Sequence, residues 1–337
     1  MYKNKTLLIT GGTGSFGKHC VKYLLENYNF KKIIIFSRDE LKQYHMQNEI
    51  KNINKKTKVR FFIGDVRDRD RLKLALDNVD FVIHAAALKQ IPAAEYNPQE
   101  CIKTNIYGAE NIIFASLEKK IKKVIALSTD KACNPINLYG ATKLAADKLF
   151  ISANTLAGKQ DSSFSVVRYG NVINSRGSVI PFFKKIYSSK KREYPITDAN
   201  MTRFFITLDQ SVKFVMKSFD RMQGGEIFIP KLPTIKIIDI CKALDSKAKI
   251  KIIGIRPGEK IHESLGGTDE ARNTIDFRDH YCIAPNFEKN NIKKFFSNAI
   301  NERGKLVPNN FEYISSNLEN QLNVNEIKKI IKITAEG

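Results

Sequence analysis

The chain has 337 residues, enough for about two domains of ordinary size and for a substantial buried core. Apolar residues make up 42% of the sequence, against 18 glycines and 10 prolines, which excludes a largely disordered, collagen-like or low-complexity protein. The formal net charge is +21, but lysines and arginines are scattered along the chain, which favours a solvated basic surface over a nucleic-acid site.

Short β-branched runs alternate with helical patterns through the first half of the chain. The runs occupy 6–10, 32–36, 59–63, 81–85, 124–128 and 165–168, and the helical patterns lie near 16–25, 41–49, 69–76, 98–117 and 138–155. This alternation predicts an α/β fold in which a doubly wound parallel sheet is covered by helices on both faces. Ligands of such sheets bind beyond the carboxyl ends of the strands.

The pattern loosens after the sixth run, where turn-rich segments surround a helix near 208–219, a strand at 226–229 and a closing helix near 325–334. We therefore predict a dinucleotide-binding domain at 1–170, to which 204–229 returns. A smaller, interleaved C-terminal lobe for the substrate is predicted at 171–203 and 230–337.

A glycine-rich turn follows the first strand and precedes the first helix. It reads Gly11-Gly12-Thr13-Gly14-Ser15-Phe16-Gly17. Glycines at this point permit a tight turn and let the backbone approach a pyrophosphate at the helix N-terminus. The turn therefore predicts a dinucleotide site.

The ends of the next strands predict further cofactor contacts. Ser37, Arg38 and Lys42 are suited to a 2′-phosphate and favour NADP, although Asp39 could serve an NAD ribose. Asp65 and Val66 either hold the adenine edge or belong to an ordinary helix cap. The fourth strand ends in three small residues that let a cofactor lie against the backbone, Ala85, Ala86 and Ala87. His84 reads as a packed structural histidine.

Tyr139 and Lys143 are four residues apart, which on a helix places both on one face. A neighbouring ammonium and a cationic nicotinamide favour a phenolate, which can take a proton from a sugar hydroxyl. The preceding strand ends in Thr129, Asp130 and Lys131, and this position indicates a second acid/base pair rather than a solvated turn.

These residues resemble the extended short-chain dehydrogenase/reductase superfamily, and within it the inverting UDP-N-acetylglucosamine 4,6-dehydratases of pseudaminic acid biosynthesis. The likeness runs from Lys5 to about Lys332 and includes the motifs ITGGTGSFG, ALSTDKACNPINLYGATK, VVRYGNV, MTRF and IRPGEKIHE. It implies a Rossmann-type fold, bound NADP, and a cycle in which hydride leaves C4 of the sugar and returns to C6.

The resemblance also implies roles for single residues. Tyr139 is the base at the C4 hydroxyl and Lys143 its electrostatic partner. Lys131 removes the C5 proton, Asp130 protonates the departing C6 hydroxyl, and Thr129 polarises the sugar oxygen. An Asp-Lys pair in place of Asp-Glu implies inversion at C5. The cofactor site is expected also to include Leu127, Ser128 and Lys89, and the substrate site Lys89, Asn171, Val179, Thr197, Arg256 and Glu259.

The sequence departs from the expected family pattern at Gln90, Asn174 and Phe205, and after the final motif at 264–267. These departures bear on acyl-sugar selectivity and rate. An exposed ion pair is the alternative interpretation of Arg256 and Glu259.

Three other functions stay open at this stage: a UDP-sugar 4-epimerase or C5-retaining dehydratase of the same superfamily, a non-catalytic NADP sensor, and nucleic-acid binding. The five dispersed cysteines suggest neither a disulfide framework nor a metal site. The N-terminus has no signal-peptide pattern, so we expect a soluble, cytoplasmic protein without membrane or nucleic-acid partners. The resemblance implies UDP-N-acetylglucosamine as substrate and a homo-oligomer such as a hexamer.

Overall fold

The computed structural model describes residues 2–53, 56–158, 160–173, 175, 177–285 and 292–333. Within them, ten strands form one sheet and seven lie in three smaller sheets. In chain order the strands are β1 Thr6–Thr10, β2 Lys32–Ser37, β3 Lys58–Ile63, β4 Phe81–His84, β5 Lys123–Thr129, β6 Ser163–Tyr169, β7 Asn171–Val172, β8 Glu193–Ile196, β9 Thr202–Ile206, β10 Ile227–Pro230, β11 Thr234–Lys236, β12 Lys249–Ile252, β13 Ser264–Gly266, β14 Thr274–Asp276, β15 His280–Ile283, β16 Lys305–Leu306 and β17 Tyr313–Ile314.

The described helices are α1 Ser15–Asn27, α2 Glu40–Ile50, α3 Arg69–Ala75, α4 Ile91–Tyr96, α5 Pro98–Ile102, α6 Gly108–Glu118, α7 Leu138–Ala157, α8 Val179–Ser188, α9 Leu208–Arg221, α10 Ile237–Leu244 and α11 Val324–Ile333. A π-helical turn at Lys103–Tyr107 separates α5 from α6, where the sequence predicts one continuous helix. The sequence analysis did not predict α4, α8 or α10. No described helix has both the length and the apolar content that crossing a membrane requires.

The large sheet has the order β16-β14-β15-β10-β6-β5-β4-β1-β2-β3. Its strands from β3 to β10 pair in parallel, and β15, β14 and β16 extend it with antiparallel pairs. The parallel strands are nearly continuous apolar runs because helices cover both faces; β1 is buried along its whole length. The predicted α/β doubly wound sheet is confirmed.

A second, separate apolar core lies under α8, α10 and α11 and includes Phe183, Tyr194 and Ile240. Two small sheets, β11-β9-β7 and β12-β8, border it. The predicted lobe boundary differs from the sheets at two points. The strand β9 overlaps 204–229 and yet pairs in the small sheet β11-β9-β7, while β14, β15 and β16 fall within 230–337 and yet extend the large sheet. They do so because β15 pairs along β10, which leaves no open edge there. The division into two domains stays a prediction.

Candidate active site

The glycine-rich turn lies at the carboxyl end of β1, tight against the end of β4. Gly11 has φ +63°, and a Cβ on it would lie 2.9 Å from the backbone of Ala85. A Cβ on Gly17 would lie 2.5 Å from the backbone of Gly12. Gly14 precedes α1, and no side chain in the described part of the chain caps that helix. The first amides of α1 therefore face a cleft where an anionic group would meet several N–H donors.

Positive charge lies beside the turn, after β2. Arg38 is just over half exposed and its guanidinium is 3.6 Å from the Asp65 carboxylate. The Asp39 carboxylate accepts a hydrogen bond from the backbone N–H of Lys42, so it caps α2, and it also pairs with the Lys42 amine. The Ser37 hydroxyl accepts from Gln43 at 3.0 Å. Two cations, Arg38 and Lys42, and two engaged carboxylates, Asp39 and Asp65, therefore line this end of the cleft.

Asp65 is not a helix cap. Asp68 caps α3 instead, accepting from the backbone N–H of Arg71, while Asp65 accepts from Arg67. Partial burial would raise the pKa of Asp65, but the hydrogen bonds from Arg67 outweigh it and hold the pKa below the usual value. The carboxylate is therefore ionised and faces the cleft beside Val66.

His84 is 2% exposed, and its Nδ1 lies 2.9 Å from the Thr10 hydroxyl. Burial lowers its pKa to about 3, so the ring stays neutral inside the sheet. The predicted structural role is consistent with this placement. Ala85, Ala86 and Ala87 follow it and line the cleft.

The predicted acid/base pair lies at the end of β5. Asp130 is 1% exposed, and its Oδ1 accepts from the Thr129 hydroxyl at 2.9 Å and from the Lys131 amine at 3.0 Å. Its second oxygen, Oδ2, is buried and has no hydrogen-bond partner among the described residues. An unpaired buried carboxylate oxygen of this kind is uncommon in folded proteins.

The Lys131 amine lies inside the cleft and not in bulk water, with its side chain 20% exposed. Its Nζ is also 3.3 Å from Oε1 of Glu263. Burial alone would lower the pKa of Lys131, but the carboxylates of Asp130 and Glu263 raise it above the ordinary value. The resting side chain is consequently an ammonium.

Tyr139 and Lys143 lie on the first turns of α7, which begins after the capping residue Asn137. A Cβ on Gly140 would lie 2.2 Å from the Lys131 carbonyl oxygen, so this glycine lets α7 approach the turn that holds Lys131. Burial raises the pKa of Tyr139 to about 12, and the positive charge of Lys131 opposes that rise. Lys143 donates from Nζ to the Leu127 carbonyl at 2.7 Å, and burial lowers its pKa.

The residues expected to bind substrate line the same cleft. Arg256 and Glu259 are joined by two hydrogen bonds of 2.8 and 3.0 Å, so the alternative of an ion pair holds in the structure, and both still face the cleft. The buried side-chain oxygen of Asn171 has no hydrogen-bond partner among the described residues. Burial lowers the pKa of Lys89, and so does the charge of Lys131.

One cleft with a volume of about 1380 Å³ brings together every residue that the sequence analysis assigned to a site. The remaining members of that set are Thr13, Ser15, Phe16, Ser128, Val179 and Thr197. Of the departures from the family pattern, Gln90 lies in the cleft and Phe205 packs in the second core. Asn174 lies outside the described residues.

Sequence reasoning assigned no role to three charged residues of the cleft, Lys185, Arg203 and Glu263. Arg203 is 6% exposed and Glu263 2%. Arg203 donates to the carbonyls of Ile261 and Lys260, and its Nε is 3.9 Å from Glu263. The available signal was a charge inside the apolar run of β9 and another just before the buried β13.

Comparisons with known proteins agree in family and fold. The family model described as "Polysaccharide biosynthesis protein" matches residues 7–285. UDP-N-acetylglucosamine 4,6-dehydratase (inverting) of Campylobacter jejuni, serotype O:23/36, is 55% identical and covers 99% of both chains. UDP-glucose 4-epimerase of Rickettsia bellii is 42% identical over 98% of this chain and 96% of its own. The solved structure of Pen from Bacillus thuringiensis is 35% identical, with a TM-score of 0.88 and 99% of both chains covered.

Proposed function

The chain belongs to the polysaccharide biosynthesis protein family, within the extended short-chain dehydrogenase/reductases, and from this membership we propose that it is an inverting UDP-N-acetylglucosamine 4,6-dehydratase. The observation that carries the proposal is the Lys131 amine, held inside the cleft beside Asp130 and close enough to Tyr139 to affect its pKa. A phenol, a carboxylate and an amine at one place supply the three proton-transfer groups that this dehydration needs.

The fold and its glycine-rich turn indicate a nicotinamide dinucleotide, and the cradle fits a pyrophosphate because its glycines leave no room for a Cβ. When bound, the cofactor would accept a hydride from C4 of the sugar and return it to C6. We assign NADP to the site because Arg38 and Lys42 offer cations where the 2′-phosphate would lie. The carboxylate of Asp39 accepts a hydrogen bond from the backbone N–H of Lys42 and pairs with the Lys42 amine, which leaves it less suited to ribose hydroxyls.

Tyr139 takes the proton of the C4 hydroxyl in this scheme. Its phenol is buried and needs nearby positive charge to ionise, which Lys131 supplies. Lys143 donates to the Leu127 carbonyl, and this hydrogen bond holds its amine on the face of α7 that carries Tyr139. Thr129 donates to Asp130 and so keeps that carboxyl oriented at the strand end.

Asp130 and Lys131 perform the elimination. The pair carries one mobile proton, which rests on the amine because the pKa of Lys131 is raised. Transfer of that proton from Nζ to Oδ1, across 3.0 Å, yields a neutral amine and a carboxylic acid. The amine then removes the proton at C5, which the C4 ketone has acidified, and Asp130 protonates the C6 hydroxyl as it leaves as water.

We also propose the stereochemistry at C5, the pathway, the oligomeric state and the location of the protein. Inversion at C5 rests on the Asp-Lys pair, and the product then suits the first step of pseudaminic acid biosynthesis. A homo-oligomer and a cytoplasmic location accord with the family likeness.

One experiment tests the assignment against the alternative of an epimerase. This alternative is considered because the chain is 42% identical to UDP-glucose 4-epimerases of Rickettsia. The purified protein with its bound cofactor is incubated with UDP-N-acetylglucosamine in heavy water and followed by proton NMR. We expect a 4-keto-6-deoxy product with deuterium at C5 and the inverted arabino configuration, without added NADPH. Recovery of only the 4-epimer would refute the proposal, and retained configuration at C5 would refute the inversion.

A further inference from the structure

Glu263 lies against the catalytic amine, although it comes from a distant part of the chain. Its Oε1 is 3.3 Å from Nζ of Lys131, whereas Oδ1 of Asp130 is 3.0 Å from the same atom. The Glu263 side chain is 3% exposed. A buried carboxylate costs several kcal/mol in desolvation unless cations and hydrogen bonds compensate for it. Its position beside Lys131 therefore requires a reason.

The backbone around Glu263 holds this carboxylate in place. The Glu263 N–H donates to the Ser315 hydroxyl at 2.9 Å, and its carbonyl accepts from the Ser315 N–H at 2.8 Å. The Ser315 hydroxyl is in turn 2.7 Å from that of Thr202 in β9. Two segments of the smaller sheets thus fix the residue, so its side chain approaches Lys131 from a rigid support.

The Oε2 atom of Glu263 has no hydrogen bond among the described residues. The Lys260 amine lies 3.7 Å from this atom, and that amine already donates to the Cys133 carbonyl at 2.7 Å. Lys131 is therefore the cation that approaches Glu263 most closely in the described part of the chain. The charged and titratable groups that act on this pair are Asp130, Tyr139, Lys89, Arg203 and Lys260.

We propose that Glu263 is a positioning residue that acts through Lys131, holding its amine in the cleft and stabilising the ammonium that forms when the amine takes the C5 proton. This inference rests on the proposed function. In the step concerned, the C5–H bond breaks and an Nζ–H bond forms. The electron pair released becomes the C5–C6 double bond, and the C6–O bond breaks with its oxygen protonated by Asp130.

The electrostatic reason follows from the proton count. When the shared proton has moved to Asp130, both members of the pair are neutral, and Glu263 is the anion that remains beside the amine. An anion about 3 to 4 Å from a developing positive charge lowers the energy of the charged form, and more strongly in a buried site than in water. Glu263 would thus favour the protonated product of the C5 step without itself touching the sugar.

The test variant is E263Q, which keeps the shape of the side chain and removes its charge. Removing the anion lowers the pKa of Lys131, so the Asp130–Lys131 pair loses its one proton at a lower pH. We expect the alkaline loss of kcat to move down by roughly 1 to 3 pH units. With substrate deuterated at C5, the isotope effect on kcat should rise because proton removal becomes slower relative to the other steps.

A second readout does not depend on turnover. Acetylation of Lys131 by acetic anhydride, followed by mass spectrometry across a pH series, reports the fraction of free amine. E263Q should make Lys131 reactive at lower pH. The matched control is E193Q, an exposed glutamate whose carboxylate is 3.2 Å from the Lys251 amine, and it should leave all three measurements unchanged.

An unchanged pH profile, isotope effect and Lys131 reactivity in folded E263Q would overturn the inference. Should E263Q not fold, E263D retains the charge but retracts it by one methylene. E263D should then shift each measurement in the same direction as expected for E263Q, but by less. If all three measurements in E263D equal those of the parent protein, the inference is likewise overturned. If the parent yields no dehydrated product, the proposed function fails, while the acetylation series still decides whether Glu263 controls the Lys131 amine.

Discussion

The nucleotide end and the sugar end of the cleft are built in different ways. At the nucleotide end, consecutive elements supply the site: β1, the glycine-rich turn and α1 follow one another, and β2 and β4 pair directly with β1. At the sugar end, the contacts join distant segments. Lys260 bonds to Cys133 across 127 positions, and Arg203 bonds to Ile261 across 58.

The nucleotide end therefore depends mainly on the shape of the backbone, and the sugar end on the charges of its side chains. A tight turn against a strand is dictated by missing side chains, which are visible in the sequence. The charge state of Lys131 instead depends on which carboxylates surround it, and Glu263 reaches it only through the fold of the smaller sheets. The nucleotide end therefore tolerates little change in volume, whereas the sugar end should be sensitive to changes in charge.

The largest expected effect is at the sugar end, in Lys131→Ala. Removing the base should lower the dehydration rate by about 10²- to 10⁴-fold and abolish deuterium uptake at C5, because general acid/base groups contribute effects of this size. Cofactor content should stay at the parental level, since the glycine-rich turn is untouched. Dehydration at the parental rate would show that another group is the base.

The next effect concerns volume at the nucleotide end, in Gly17→Ala. The added Cβ would lie 2.5 Å from the backbone of Gly12, so the turn must shift. We expect a loss of about 1 to 3 kcal/mol in stability or cofactor binding, measured by thermal unfolding with and without NADP. Gly158→Ala is the control for a glycine with no heavy atom within 4 Å of the added Cβ, although its φ of +56° carries a backbone penalty. Equal stability and equal NADP affinity in Gly17→Ala and the parent would contradict the cradle geometry.

The same contrast explains how much could be predicted from the sequence. The parallel sheet, α1, α7 and the glycine-rich turn could be predicted because apolar periodicity and glycine spacing are local signals. The residues expected to bind substrate were implied by the family resemblance instead. The π-helical turn at Lys103–Tyr107 could not, since its i to i+5 bonding leaves no mark on the apolar pattern.

The contacts at the sugar end were equally invisible. Lys143 and Tyr139 share a helix face and could be paired from their spacing. The cation that opposes the rise in the Tyr139 pKa, however, is Lys131, which comes from the preceding turn. Arg203 lies in the motif MTRF and Glu263 in IRPGEKIHE, yet nothing in their spacing indicates that they meet beside Lys131. Tertiary packing decides such meetings.

A smaller effect is expected from Arg256→Ala, which tests whether the ion pair with Glu259 opens for substrate. Arg256 is mostly exposed and its pair with Glu259 contributes little to stability. If the guanidinium binds the diphosphate, KM should rise roughly tenfold with kcat nearly constant, because binding is lost equally in ground and transition states. The control is Lys251→Ala, which breaks an exposed ion pair between β12 and Glu193 of β8. An unchanged KM would leave Arg256 as a surface ion pair.

The smallest effect should come from charge at the nucleotide end, where Arg38→Ala tests the choice of NADP. Its guanidinium is exposed and screened, so its contact with a 2′-phosphate is worth only about 0.2 to 1 kcal/mol, a few-fold in affinity. We expect NADP affinity to fall by that factor while NAD affinity stays constant, measured by calorimetric titration of both cofactors into the apoprotein. Arg69→Ala, an exposed arginine on α3 outside the cleft lining, is the control. Equal losses for both cofactors would mean that Arg38 supports the site without reading the phosphate, and the nucleotide end would then recognise shape alone.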